Sequence, residues 1–268
     1  MKKKSSKKHK KFYILIFAII LIICLLTTFI ILKNFSKDYY AIQPRADKVS
    51  ANVIESYEDY ETIGWIQIQG TTIDLPVVYN SEKKYPVEIE GYAKMEKYLP
   101  GFHNYLEVSA HNIFNLSSTP RIEAEEFTRF EELMSFVYYD FAKENEYIQL
   151  TYENKEYVYK IFMVGFIPMT EKISYSEADY DENQMETYLK RIEEYNLYDY
   201  DIDVSTDDKI ISLSTCTRFF ANNSDWNFYV VGRLIRENEK IRSYSVSKSN
   251  NYNKIEEILK GDELNDKV

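Results

Sequence analysis

Cysteine and histidine are scarce in this sequence, with two cysteines and three histidines in 268 residues. Cys24 lies inside a long apolar run, so Cys216 stands alone in the rest of the chain and no disulfide can form there. His103, His111 and Cys216 form no recognisable metal-ligand spacing, and no cofactor is expected. Acidic pairs such as Asp207–Asp208 and Glu125–Glu126 leave weak calcium binding open, beside the plainer reading of solvated carboxylates. Internal repeats and low-complexity tracts are absent as well. Positive charge is concentrated at one end: the net charge is −10, but residues 1–33 carry eight lysines and no acid, leaving −18 for the remainder. Such an acidic, tyrosine-rich surface would repel phosphates and argues against a nucleic-acid partner.

The one long uncharged stretch runs from Phe12 to Leu32, 21 residues preceded by seven lysines within the first eleven positions. A helix of that length rises about 30 Å, enough to cross the hydrocarbon core of a bilayer. A cleaved secretory signal would have a shorter apolar core and end in a small-residue site. Here Thr27 to Leu32 run straight into Lys33. Residues 12–32 therefore read as an uncleaved membrane anchor, with the basic segment 1–11 in the cytoplasm and everything after Lys33 outside.

Residues 33–60 are polar with irregular apolar spacing and read as a stalk with a short helix. A folded core is expected over 61–236. IGWIQIQGTTIDLPVVYN alternates apolar and polar residues around a Gly-Thr-Thr turn, the pattern of a β-hairpin. Further strands are expected at Leu106–Ser109, Tyr147–Tyr152, Glu156–Phe166, Lys209–Ser214 and Asn227–Ile235. FTRFEELMSFVYYDFAKEN places Phe130, Leu133, Met134 and Val137 on one helical face, and a second helix is expected at Asn183–Glu194. The flanks at 175–181 and 195–208 read as loops. Residues 237–268 read as a polar, frayed tail with one weak helix at Lys254–Lys260. Strands outnumber helices and follow one another directly, so a mostly antiparallel closed sheet with peripheral helices is expected.

An unpaired cysteine in an exported domain is either a buried, inert residue or a reactive thiol, and the count alone favours neither. Position adds more. Cys216 follows the apolar strand IISLS and precedes polar loop residues, so its sulfur is expected at a strand end. Thiolate is the reactive form, and a neighbouring imidazole can lower its pKa or take its proton. His9 is cytoplasmic, leaving His103 and His111. His111 follows LEVSA and opens a loop, again at a strand end, although an ordinary surface or capping role is open to either histidine.

The strings ISLSTC and FYVVGRLI resemble the TLxTC nucleophile strand of sortases and the strand after it. SAHNIFNLSSTP is similar to their histidine segment, and IGWIQIQGTTIDLPVV to their opening hairpin. With RFEELMSFVYYDFAKEN and the inserted helix before the cysteine strand, the resemblance is nearest the class B branch, particularly its pilus-associated members, and covers roughly residues 60–236. It implies an eight-stranded barrel and a cysteine transpeptidase acting on an LPxTG-like sorting signal. Cys216 would form the acyl-thioester and His111 would move the proton. An amine, from a pilin lysine or a cell-wall cross-bridge, would then resolve the thioester. A papain-like protease is disfavoured, because there the cysteine precedes the histidine in the chain.

Two departures from the family pattern stand out. Asn227 occupies the place of the family's arginine at the start of the strand after the cysteine. Asparagine can donate a hydrogen bond to an oxyanion but brings no charge. Arg233 has the same strand parity but lies about 20 Å further along, whereas Arg218 is the nearer candidate for oxyanion stabilisation or substrate positioning. Residues 80–105 also lack the family's usual GxxFxD-like strand. Both departures keep open a second reading, a catalytically impaired partner that binds pilin or sorting signals.

Overall fold

The computed structural model describes residues 17, 20–22, 26–27, 61–71, 73–79, 93–95, 101–110, 112, 130–175, 179–217, 219–220 and 225–256. The chain divides into two units, Met1–Ile42 with Ile241–Ser243 and Gln43–Lys240 with Tyr244–Val268. Of the anchor expected at 12–32, Phe17, Ile20, Leu21, Ile22, Leu26 and Thr27 are described, all helical and exposed. The rest of that anchor and the stalk at 33–60 lie outside the described residues. Among the described residues no helix is long and apolar enough to cross a membrane.

The larger unit is built on strands. β1 (Glu61–Ile68) and β2 (Asp74–Tyr79) form the opening hairpin. Its turn needs a positive φ at Gly70 (75°), where an added Cβ would also run into the Asn145 side chain. The Trp65 indole N–H donates to Asp74 across the hairpin at 2.6 Å and holds the register. β3 (Ala93–Met95) lies in the stretch that departs from the family pattern and bridges β2, in parallel, to β4 (Tyr105–Ser109). β5 (Tyr147–Tyr152) turns into the 14-residue β6 (Lys155–Pro168) through Glu153 and Asn154, both at positive φ as a tight right-twisted hairpin requires. β7 (Tyr198–Tyr200), β8 (Ile210–Thr217), β9 (Trp226–Leu234) and β10 (Val246–Lys248) follow. Eight strands pair in the order β1-β2-β3-β4-β8-β9-β6-β5, and β5 returns to pair with β1, so the ring of pairings closes. The β2–β3 and β4–β8 pairs are parallel and the other six antiparallel.

Strand alternation sorts the apolar residues into two cores. Ile211, Leu213, Phe228, Val230, Val164 and Phe166 point into the barrel with Leu106 and Val108. Their neighbours of opposite parity, Ile210, Tyr229, Val231 and Tyr105, form a second core on the outer face. That outer core is covered by α2 (Glu182–Glu193), one residue off the expected helix, through its buried Met185, Tyr188 and Ile192. Asp181 caps α2 by accepting from the Gln184 amide, while the Gln184 side chain accepts from the Asp181 amide, two orphan donors satisfied reciprocally.

Three expectations fail in informative ways. The single helix expected at 127–145 is a 3₁₀ helix (Glu131–Val137) and a short α1 (Tyr139–Glu144), broken at an extended Tyr138. Phe130, Leu133, Met134 and Val137 are buried as the periodicity requires, but so are Phe136, Phe141 and Ala142. Apolar residues on several faces bend the segment into the core instead of laying it down as one amphipathic stripe. The loop expected at 195–208 contains β7, anchored by buried Asn196, whose side chain accepts from the Val164 amide and donates to the Phe162 carbonyl beside the β6 bulge at Ile161/Met163. The tail expected to fray at 237–268 is folded through residue 256. β10 pairs with β7, residues 250–256 are helical, four residues ahead of the expected helix, and Val246, Tyr252 and Ile255 are buried. The Tyr244 hydroxyl bridges the carbonyls of Glu146 (2.6 Å) and Ile161 (2.7 Å). A few spaced anchors in a polar stretch suffice to dock it.

Candidate active site

Cys216 is the only exposed residue of β8, whose other seven positions are buried. Its parity is that of Ile210, Ser212 and Ser214, so the thiol lies on the outer face, one residue before the strand ends. On that face the residue directly opposite it on β9 is Asn227, half-buried. Cross-strand partners hold their Cβ atoms about 4.5–5.5 Å apart. The inward neighbours fix the strand end: Thr215, buried, donates its hydroxyl to the Ala110 carbonyl at 2.8 Å, and the Ala110 amide donates to Ser214 O.

Beyond the cysteine the sequence suggested a polar loop, but the structure finds an aromatic cluster, with Phe220 partly open to solvent. Phe219 stacks on Phe166 at 4.7 Å, and Phe220 packs edge-on against Phe166 and Phe219 and against Trp226. The Phe219 amide donates to the Thr217 hydroxyl. The signal was present in the sequence as a Phe-Phe doublet three residues after the cysteine. Burial pushes the Cys216 thiol up, favouring the protonated form, and among the described residues no cation offsets it. In these surroundings the thiol calls for a proton acceptor.

His111 and Arg218 lie outside the described residues. His103 sits at the other end of β4, its Nδ1 2.6 Å from Asp179 Oδ2. Burial pushes the Asp179 carboxyl up, but the hydrogen bonds from His103 and the Asn104 amide outweigh it and leave the group below the ordinary carboxylate value. Arg233, buried, is committed to a two-pronged pair with Glu239, which Lys160 also bonds. Asp208, of the acidic pair at 207–208, accepts from Arg236 through both carboxylate oxygens. Among the described residues no cluster of His, Cys, Asp and Glu is arranged to hold a metal ion.

No protein-family model matches the chain. Sortase B of Staphylococcus aureus is 21% identical over 212 residues, covering 76% of this chain and 84% of that protein. Its complex with substrate superposes with a TM-score of 0.53 at 17% identity, over 75% of this chain and 89% of the other. A mutant form of Clostridium perfringens sortase B gives a TM-score of 0.55 at 22% identity, over 71% and 85%. The chain has the class B sortase fold. A sortase B from the type II pilus of Streptococcus pneumoniae shares that fold at a TM-score of 0.52 and 23% identity, over 65% of this chain and 92% of the other. Within the sortase fold of this chain, the nucleophile candidate lies on the outer face of the strand that runs parallel to β4.

Proposed function

We propose that this protein is a membrane-anchored cysteine transpeptidase that cleaves an LPxTG-like sorting signal and transfers the acyl part to an amine. The observation that carries the reading is the parallel register of β4 and β8, with Tyr105 opposite Ile210 through Ser109 opposite Ser214 and locked beyond by the Thr215–Ala110 bond. Ala110 and Thr215, joined by that bond, are the residues that immediately precede His111 and Cys216 in the sequence.

The chemistry follows from that pairing. His111 accepts the Cys216 proton, and the sulfur attacks the signal's scissile carbonyl to give a tetrahedral oxyanion. The C–N bond breaks as the imidazolium returns its proton to the leaving amine, leaving an acyl-thioester on Cys216. An incoming amine, a pilin lysine or a cross-bridge amine, gives its proton to His111 as it attacks the thioester, and the thiol is released. Asn227 and Arg218 are the candidate donors to the oxyanion. Residues 12–32 hold the enzyme in the cell membrane with its folded part outside, where surface proteins and their acceptors meet.

A second reading is supported by Asn227, uncharged where the family pattern has arginine, and by a thiol pushed up rather than down. It is a binding partner that holds sorting signals without turnover. Mass spectrometry of the protein after incubation with sorting-signal peptides separates the two. A thioester adduct on Cys216 that disappears on adding a small amine supports the transpeptidase. Saturable peptide binding without an adduct supports the partner.

A further inference from the structure

Behind the C-terminal half of α2 the outer face of the barrel is not fully covered. The bulge between Ile161 and Met163 makes Phe162 an extra residue of β6 without a counterpart on β9, so it joins Met163 on the outer face instead of alternating inward. Phe162 is the floor of a cavity of about 450 Å³. One wall is formed by Leu189 and Glu193, spaced i and i+4 on one face of α2. The other is the 196–204 segment, which contributes Asp199, Ile202 and Val204. Both walls are fixed. α2 is docked through its buried Met185, Tyr188 and Ile192. The Asn196 side chain ties the start of the opposite wall to Val164 and Phe162, β7 pairs with β10, and Arg236 holds Asp203 at 2.7 Å. The cavity is therefore preformed, and its volume falls in the range of ligand sites, about 300–1,000 Å³.

The lining is apolar within and acidic at the rim. Phe162 is buried and Leu189, Ile202 and Val204 are half-buried, whereas Lys190, Glu193 and Asp199 are exposed. Lys190 is committed to Glu186 at 2.7 Å, and among the described residues Glu193 and Asp199 have no cationic partner. Desolvation, and then the Asp199 charge, push the Glu193 carboxyl up against a hydrogen bond from Asn196. A cation placed between the two carboxylates would relieve that repulsion. Glu194 and Asp201, exposed and close by in sequence, add to the negative field. An anion is repelled by such a rim, and a bare cation leaves the apolar floor unused. The complement is an apolar side chain with a positive charge beside it.

We propose that this cavity docks a segment of a partner protein in which an apolar side chain stands next to a lysine or arginine. The site is remote from the thiol, since about 16 Å of β6 separates Phe162 from Ile167, the residue opposite Asn227. Its test therefore needs no turnover at Cys216. Acetyl-Leu-Lys-Leu-amide, titrated at low salt into the full-length protein in detergent micelles, is expected to shift the amide NMR signals of Lys190, Glu193, Asp199 and Val204 saturably. Acetyl-Leu-Glu-Leu-amide should leave them in place. Replacing both carboxylates, Glu193→Gln with Asp199→Asn, should weaken binding of the lysine peptide about fivefold, because each exposed ion pair contributes little. Val204→Trp, which fills the cavity from its edge, should remove the response. The double variant changes only exposed side chains and decides the matter where Val204→Trp does not fold. No shift with the lysine peptide, equal shifts with both peptides, or undiminished binding in the double variant overturns the proposal, as does a folded Val204→Trp that binds as before. Spermidine binding as tightly as the lysine peptide overturns a protein segment as the occupant.

Discussion

Asn227→Arg tests the site through the direct cross-strand pairing of Asn227 with Cys216. A guanidinium at position 227 reaches to about 5 Å from the sulfur on the same face. The Coulomb attraction to a thiolate at that distance is about 0.8 kcal/mol at the dielectric of water and about 3 kcal/mol at the effective value of 20 near protein surfaces. At a fixed pH below the thiol's pKa, this means roughly fourfold to 150-fold more thiolate, acting against the burial that now pushes the thiol up. Because Cys216 is exposed, the lower part of that range is expected, and salt should shrink it further. The measurement is the pH profile of iodoacetamide alkylation in a Cys24→Ser background, at low and high salt, with Asn227→Gln as the uncharged control. The midpoint should move to lower pH in the arginine variant alone, more at low salt. An unmoved midpoint at low salt would show that the two side chains do not share a face and would refute the site as drawn. With peptide substrate, the same variant should raise acylation about tenfold to a hundredfold through charge-assisted oxyanion stabilisation. If Arg218 already has that role, Arg218→Ala is severe and Asn227→Arg neutral or harmful.

Cys216→Ala should abolish the peptide adduct seen by mass spectrometry while leaving urea unfolding nearly unchanged, since the side chain fills no core volume; an adduct in the variant removes Cys216 from the mechanism. His111→Ala should lose acylation at any peptide concentration, whereas His103→Ala should keep its activity; equal losses in both variants would undo the assignment. Tyr252→Ala should cost about 3 kcal/mol or more in urea unfolding, because its ring is buried in the main core, and a cost near zero would return the tail to the frayed state its composition suggests. Arg233, then Lys160 and the Arg236 amide, hold the Glu239 carboxyl far below its usual value against the opposing effect of burial. The unfolded chain therefore takes up a proton first, near pH 4.3, so this stabilisation is complete above about pH 5 and declines as the solution is acidified. Glu239→Gln should flatten the acid limb of a stability profile measured by urea unfolding, and an unchanged slope would contradict the ion-pair account.

Much of the barrel was legible because its strands state their own period. β5, β6, β8 and β9 alternate or run apolar between polar turns, and their expected bounds fall within a few residues of the observed ones. α2 was legible for the same reason, with an Asp cap and apolar residues at helical spacing. What escaped was short or held by partners distant in sequence. β3, β7 and β10 have three residues each, too few for any period, and exist because another strand edge is available to them. The folded tail escaped because Tyr244 finds its acceptors 83 and 98 residues upstream. The outer-face position of Cys216 follows from strand parity once the inner core is assigned. Its pairing with Asn227 depends on the β8–β9 register, which the intervening loop does not disclose.

The same parity explains how an exposed thiol and an apolar core can share one strand. Ile211, Leu213 and Thr215 point inward and hold β8 in the core, so the strand end stays in place without any contribution from the cysteine itself. Phe219 and Phe220 gather with Phe166 and Trp226 beyond the end of β8, next to the candidate nucleophile in the sequence. Site and scaffold thus draw on alternate residues of one sequence run. Substitution at 216 should therefore act on chemistry, and those at 211, 213 and 215, like those at the buried Ser212 and Ser214, on stability.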